Sequence, residues 1–262
     1  MRKLYIGTNT KMYKTIAESV VHIETLGALT ADISRDQMEL FVIPPFTALE
    51  AAGKPARESV IRLGAQNMSW EDEGQFTGEI SPRMLREVGV DVVEIGHSER
   101  RHVLGEDDEM ENRKVLCALR NGFTPLLCIG ETGVQKDIGI SDEMLRIQIK
   151  VGLNGVDKEM AKRLWIAYEP VWAIGVNGVP ATEEYAQEKH GVIREALVEL
   201  FGAEAAGGIP LLYGGSVNNQ NAAELIGMRN VDGLFIGRSA WDAENFNAII
   251  RMVLPLFFRK TT

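Results

Sequence analysis

Leu4-Tyr5-Ile6-Gly7-Thr8, followed a few residues later by Thr15-Ile16-Ala17-Glu18, decides the fold, because the rest of the chain repeats this plan. The first stretch is short and apolar on both faces, as a strand covered on both sides of a parallel sheet must be. The second is a capping box, in which a threonine side chain meets the amide three residues on and a glutamate reaches back. Ile16, Val20, Ile23 and Leu26 then fall on one helical face. Seven more short apolar runs follow, at 40–43, 61–65, 90–95, 125–129, 165–168, 209–213 and 234–236. Helical patterns lie between them, including one opened by Thr182-Glu183-Glu184 and others at 219–226 and 243–254. Eight strand–helix units in 262 residues is about 33 residues each, close to the length a βαβ step needs. The pattern predicts an α/β fold in which residues 1–262 form a single (β/α)8 barrel domain, with no linker dividing it. The rival is a doubly wound open sheet. No Gly-x-Gly-x-x-Gly follows the first strand, which weakens the dinucleotide-binding form of that rival.

Composition narrows the partners. With 45% hydrophobic and 25% charged residues the chain is globular and not disordered. A net charge of −9 argues against nucleic acid or an anionic membrane surface as partner, but it leaves room for a small anion held by local cations. Cys117 and Cys128 make no disulfide framework, which points to a reduced, cytoplasmic protein. The apolar run before Lys11 is too short for a signal peptide. The stretch 164–182 is interrupted by Pro170, Gly175, Gly178 and Pro180, so it is not read as a membrane span.

In such a barrel, chemistry collects where the strands end. Asn9 and Lys11 follow the first strand and, two apart in extended chain, would face the mouth together; a solvated surface lysine is the alternative. His97 follows the fourth strand just before a helix start, whose dipole favours a neutral imidazole; read alone, it is as readily a structural histidine. His22 and His190 fall in helices and His102 in a charged turn, and none is assigned a role. Glu169 ends the sixth apolar run, and Pro170 holds it extended at the rim, partly desolvated, as a general base must be; an arginine-paired carboxylate is the alternative. The residues beyond it, to Pro180, mix apolar side chains with glycine as a mobile lid would. Gly214-Gly215-Ser216 and Gly237-Arg238-Ser239 follow strands seven and eight, where backbone N–H groups and helix starts favour a phosphate.

These stretches resemble the triosephosphate isomerase family over essentially the whole chain. The resemblance is carried by Asn9-x-Lys11, Gly64-Ala65-Gln66-Asn67, Phe76-Thr77-Gly78-Glu79, Glu94 through Arg101, Cys128-Ile129-Gly130-Glu131, Ala167 through Gly175 and Tyr213-Gly214-Gly215-Ser216. It implies a TIM barrel that interconverts dihydroxyacetone phosphate and glyceraldehyde 3-phosphate through an enediol, without metal or cofactor, as in glycolysis and gluconeogenesis. Within it Glu169 would be the base, and His97, neutral, the proton shuttle. Lys11 would hold the substrate by charge, Asn9 would place it and Glu99 would support the lysine. Gly175, Ser216, Gly237 and Arg238 would offer amides to the phosphate. The connection 66–81, with Trp70 and Phe76 exposed, would carry Thr77 into a neighbouring subunit of a homodimer. Three departures stand out. Thr10 replaces a tryptophan, the segment between Gly175 and Ala181 is one residue longer than the usual lid, and Arg238 replaces a glycine. They resemble the branch of the family that isomerises four-carbon erythrulose phosphates. A Schiff-base aldolase using Lys11 and a catalytically silent phosphate-binding paralogue are the remaining alternatives.

Overall fold

The computed structural model describes residues 3–175 and 178–260. Eight strands, β1 (Leu4–Asn9), β2 (Met38–Ile43), β3 (Arg62–Ala65), β4 (Val92–Ile95), β5 (Thr124–Ile129), β6 (Trp165–Tyr168), β7 (Leu211–Tyr213) and β8 (Gly233–Ile236), close into one parallel barrel in sequence order. Closure is made by β8 against β1, with Thr8 opposite Ile236. The eight runs read from the sequence all become strands, and the fold is a single (β/α)8 TIM barrel with flanking helices.

Burial on both faces explains why the runs do not alternate. Phe41, Ile43, Val92, Leu126, Cys128, Trp165, Leu212 and Phe235 fill the barrel interior, while Leu4, Ile6, Leu40, Val93 and Ile166 face the helices. Gly7 belongs to the interior set for a steric reason. A Cβ there would lie 2.4 Å from the Phe41 ring, so glycine is what admits that ring to the barrel.

The helices follow their caps. Thr15 and Glu18 form the capping box of helix Ile16–Leu29, and Thr182 caps helix Glu183–Phe201 through the Tyr185 amide at 3.2 Å. Four readings need correction. The helix expected at 219–226 begins at Ala222, because the Asn218 side chain accepts from the Gln220 and Asn221 amides and holds the chain in a turn. His102 is the last residue of a short helix, Ser98–His102, rather than part of a turn. Trp70 is half-buried, with the Arg113 guanidinium 4.1 Å above its ring, whereas Phe76 is exposed as expected. The last helix, Ala243–Arg259, also runs past the expected end at 254. No described helix is long and apolar enough to cross a membrane.

Candidate active site

Five turns at the C-terminal ends of the strands build the site. β1 ends at Asn9, and at Lys11 the backbone enters the left-handed region, with φ of 52°. A non-glycine residue is uncommon there and needs outside support. That support comes from Asn9 Oδ1, which accepts from the Lys11 amide at 2.6 Å, and from Gln66 Nε2, which donates to the Lys11 carbonyl at 2.8 Å. Lys11 therefore reaches the mouth through this turn and not through extended alternation with Asn9. Its Nζ meets Glu99 Oε1 at 2.6 Å.

His97 is the N-cap of helix Ser98–His102. Its Nδ1 accepts from the Glu99 amide at 3.2 Å, so that nitrogen carries no proton and the neutral ring keeps its N–H at Nε2. Nε2 stands 3.6 Å from Glu169 Oε2. Burial and then the Lys11 charge push the imidazole down to about 4, against the opposing pull of Glu99. Its contact with Glu169 is thus a meeting of a neutral N–H with a carboxyl and not an ion pair, despite the short distance.

Glu169 follows β6. Its amide donates to the Ile129 carbonyl at 2.8 Å, and Pro170 follows with φ of −55°. The residue is 5% exposed, and Oε2 has no hydrogen-bond partner among the described residues. Burial raises this carboxyl to about 7, with Lys11 opposing the rise. Gly214 leaves it room, since a Cβ there would lie 2.7 Å from Glu169 Oε1. The two residues are shifted in opposite senses by one cause, loss of water, which leaves a carboxyl that ionises near neutral pH beside a neutral imidazole.

The rim is made by the other turns. Among the described residues, the amides of Gly175, Ser216, Gly237 and Arg238 meet no hydrogen-bond acceptor. Ser216, also left-handed with φ of 42°, donates from Oγ to the Ala173 carbonyl at 2.5 Å and ties the start of the lid segment to the turn after β7. Arg238 is exposed and makes no ion pair with a described residue. A cavity of about 400 Å³ lies within this ring, lined by Asn9, Lys11, His97, Glu99, Glu169, Gly175, Ser216, Gly237 and Arg238.

All of the expected mouth residues converge. Thr77 does not, being exposed on the 66–81 connection and lining no part of the cavity. The extra residue expected between Gly175 and Ala181 falls within 176–180, of which 176 and 177 lie outside the described residues. The sequence gives no sign of the roles of Tyr13 and Trp241, whose rings pack tilted at 40° with centroids 4.6 Å apart on the cavity wall, and Trp241 Nε1 donates to the Asn9 carbonyl at 2.9 Å. It also gives no role to Glu94, whose signal is a carboxylate inside the buried run Val92-Val93-Glu94-Ile95.

Buried glutamate, neutral imidazole and bare amides thus share one cavity at the mouth of the barrel, the arrangement of an enzyme site open to a small anion. The chain belongs to the triosephosphate isomerase family, whose sequence profile matches residues 4–253, and it is an isomerase. It is similar to the L-erythrulose-1-phosphate isomerases of Rhizobium etli, at 48% identity over 95% of this chain and 92% of that protein, and of Rhizobium meliloti, at 46% over 95% and 96%. It is also similar to the triosephosphate isomerase of Acetivibrio thermocellus, at 44% identity over 95% of this chain and 98% of that protein.

Proposed function

We propose that this protein isomerises a four-carbon ketose phosphate, L-erythrulose 1-phosphate, by proton transfer through an enediol. The observation that carries the chemistry is the 3.6 Å approach of His97 Nε2 to the buried carboxyl of Glu169. Glu169 takes the proton from C3, and the electron pair moves to form the C2–C3 double bond of a 2,3-enediol. His97 donates its Nε2 hydrogen bond to the C2 oxygen and carries a proton between the two oxygens. Return of a proton from Glu169 to C2 leaves the carbonyl at C3. Numbered from the other end, the product is erythrulose 4-phosphate, a second ketose; a triose phosphate passing through the same steps would emerge as an aldose. Lys11 places its positive charge between the substrate's phosphate and the developing enediolate, Asn9 places the substrate and Glu99 holds the lysine. The amides of Gly175, Ser216, Gly237 and Arg238 take the phosphate, with the guanidinium of Arg238 a second cation on that side.

The four-carbon substrate is favoured by the names of the relatives at 48% and 46% identity and by Arg238, a charge where the family resemblance leads one to expect glycine. The second reading, interconversion of dihydroxyacetone phosphate and glyceraldehyde 3-phosphate, has the relative at 44% identity behind it and needs no different residue. Comparing kcat/KM for L-erythrulose 1-phosphate and dihydroxyacetone phosphate on one preparation separates the two. A site that hydrogen-bonds the extra hydroxyl discriminates by as much as about 10⁴-fold, so triose turnover near the diffusional ceiling of about 10⁸ M⁻¹s⁻¹ would overturn the four-carbon reading. We read the chain as one catalytic domain working in the cytoplasm as a homodimer, with Thr77 reaching the partner's site from the exposed 66–81 connection.

A further inference from the structure

Below the mouth, Glu94 of β4 points into the barrel, two residues beyond the interior-facing Val92, and is fully buried. Its Oε2 accepts from Asn9 Nδ2 at 2.5 Å, and Oε1 faces Cys128 Sγ at 3.8 Å. Among the described residues no cation pairs with it. A buried carboxyl without a counter-charge is costly, so it either takes a proton or is replaced by something apolar. The barrel interior around it includes Phe41, Ile43, Leu126 and Phe235, which shows that apolar filling was available.

What Glu94 does can be followed through its hydrogen bonds. An amide has one donor end and one acceptor end. With Asn9 Nδ2 directed at Glu94, Oδ1 is turned to the Lys11 amide, where it closes the left-handed turn that aims Lys11 into the cavity. We propose that Glu94 is a positioning residue of this site: through Asn9 it fixes the Lys11 turn, and with it the ammonium group that meets the substrate's charge. The inference rests on the proposed function only in naming that charge. The charged and titratable groups facing Glu94 are Lys11 after β1, Glu99 after β4, Cys128 of β5 and Glu169 after β6. Burial and then Glu169 hold Glu94 well above the usual carboxylate range, so it acts as a neutral acid and adds no negative charge beneath the base.

Two variants test this, Glu94→Leu and Glu94→Gln. Leucine removes the acceptor while filling the space, and replacing a buried charge-bearing group by an apolar one is commonly tolerated by the fold; thermal unfolding checks it. Glutamine keeps an acceptor for Asn9 and matches the neutral acid in shape. Each variant is titrated with inorganic phosphate by calorimetry and assayed with L-erythrulose 1-phosphate over a range of pH. The leucine variant should bind phosphate more weakly and lose about 10²-fold in kcat/KM, the scale of a reacting group displaced by roughly 1 Å. The glutamine variant should restore both values, with the acid limb of the pH profile where the parent has it. Parent-like phosphate affinity in the leucine variant would make Glu94 mere filling and overturn the proposal. So would a glutamine variant as impaired as leucine, or one whose acid limb moves to lower pH, since either would mean that the charge itself acts. If the parent turned over neither sugar phosphate, the functional reading would fail while the phosphate titrations still decided this one.

Discussion

At Glu169 and His97, burial works on two groups of opposite charge type, and the signs of the consequences differ. Glu169 is raised to about 7, so its basic form is reached only as pH rises through that value, and kcat/KM should climb along an acid limb near pH 7. The same shift is a stability statement. The folded protein holds this proton more tightly than the unfolded chain, so the contribution of Glu169 to stability is full below the ordinary carboxylate range and is lost as pH rises through about 7. Glu169→Gln should therefore lower kcat by roughly 10²–10⁴-fold, yet gain up to about 3 kcal/mol at pH 8 relative to acid pH. Urea unfolding at the two pH values checks the second half of that claim, and an unchanged stability difference would mean that the carboxyl is better solvated than it is placed here. Arg238 makes a simpler case. With no ion pair to break, Arg238→Ala should raise KM about tenfold, the loss of one charge-assisted hydrogen bond, and leave kcat alone. Steady-state kinetics with both substrates reads this, and no change in KM would place the guanidinium outside the phosphate's reach.

Between residues and the whole barrel lies the seam of β5 and β6. Gly130 ends β5 against the backbone of Glu169, where a Cβ would lie 2.0 Å from the Glu169 carbonyl oxygen, and Gln148 clasps its amide and carbonyl at 2.8 and 3.2 Å. Gly130→Ala must push the base out of line, with an expected loss of about 10²-fold in kcat and a lower melting temperature by circular dichroism. Retained activity would show that the base tolerates a shifted seam. This seam also shows what the sequence made legible. Trp165–Tyr168 was bounded correctly because four apolar residues run directly into Glu169-Pro170, a contrast that period and composition both register. The Lys11 turn was not legible, since its left-handed backbone depends on Asn9 and Gln66, the latter 55 residues away in sequence. Nor was the late start of helix Ala222–Gly227, which a single asparagine side chain sets. Glu94 was visible as a charge in a buried strand, but its meaning required knowing that Asn9 faces it across the barrel. Sequence patterns report which face is apolar; they do not report which polar ends meet.

At the scale of the whole molecule, the connections that follow β1, β3 and β4 carry exposed apolar side chains: Met12 is 94% exposed, Val103 77%, and Tyr13, Leu104 and Phe76 are exposed as well. Such side chains are costly to leave in water together, which fits the proposed homodimer. Sedimentation at micromolar concentration should show a species near twice 29.0 kDa, and Phe76→Glu should shift it toward the single chain with loss of activity; a parent that sediments only as a monomer would remove the partner subunit from the account. The proposed reaction turns on one chemical event, removal of a carbon-bound proton by Glu169 and its exchange with solvent. The most direct measurement follows L-erythrulose 1-phosphate by NMR in heavy water with the parent and with Glu169→Gln. Deuterium is expected at C3 of the recovered substrate and at the carbon of the product that receives the proton, with both signals lost in the variant. Full isomerisation by the parent with no deuterium in either compound, or exchange undiminished in Glu169→Gln, would contradict it.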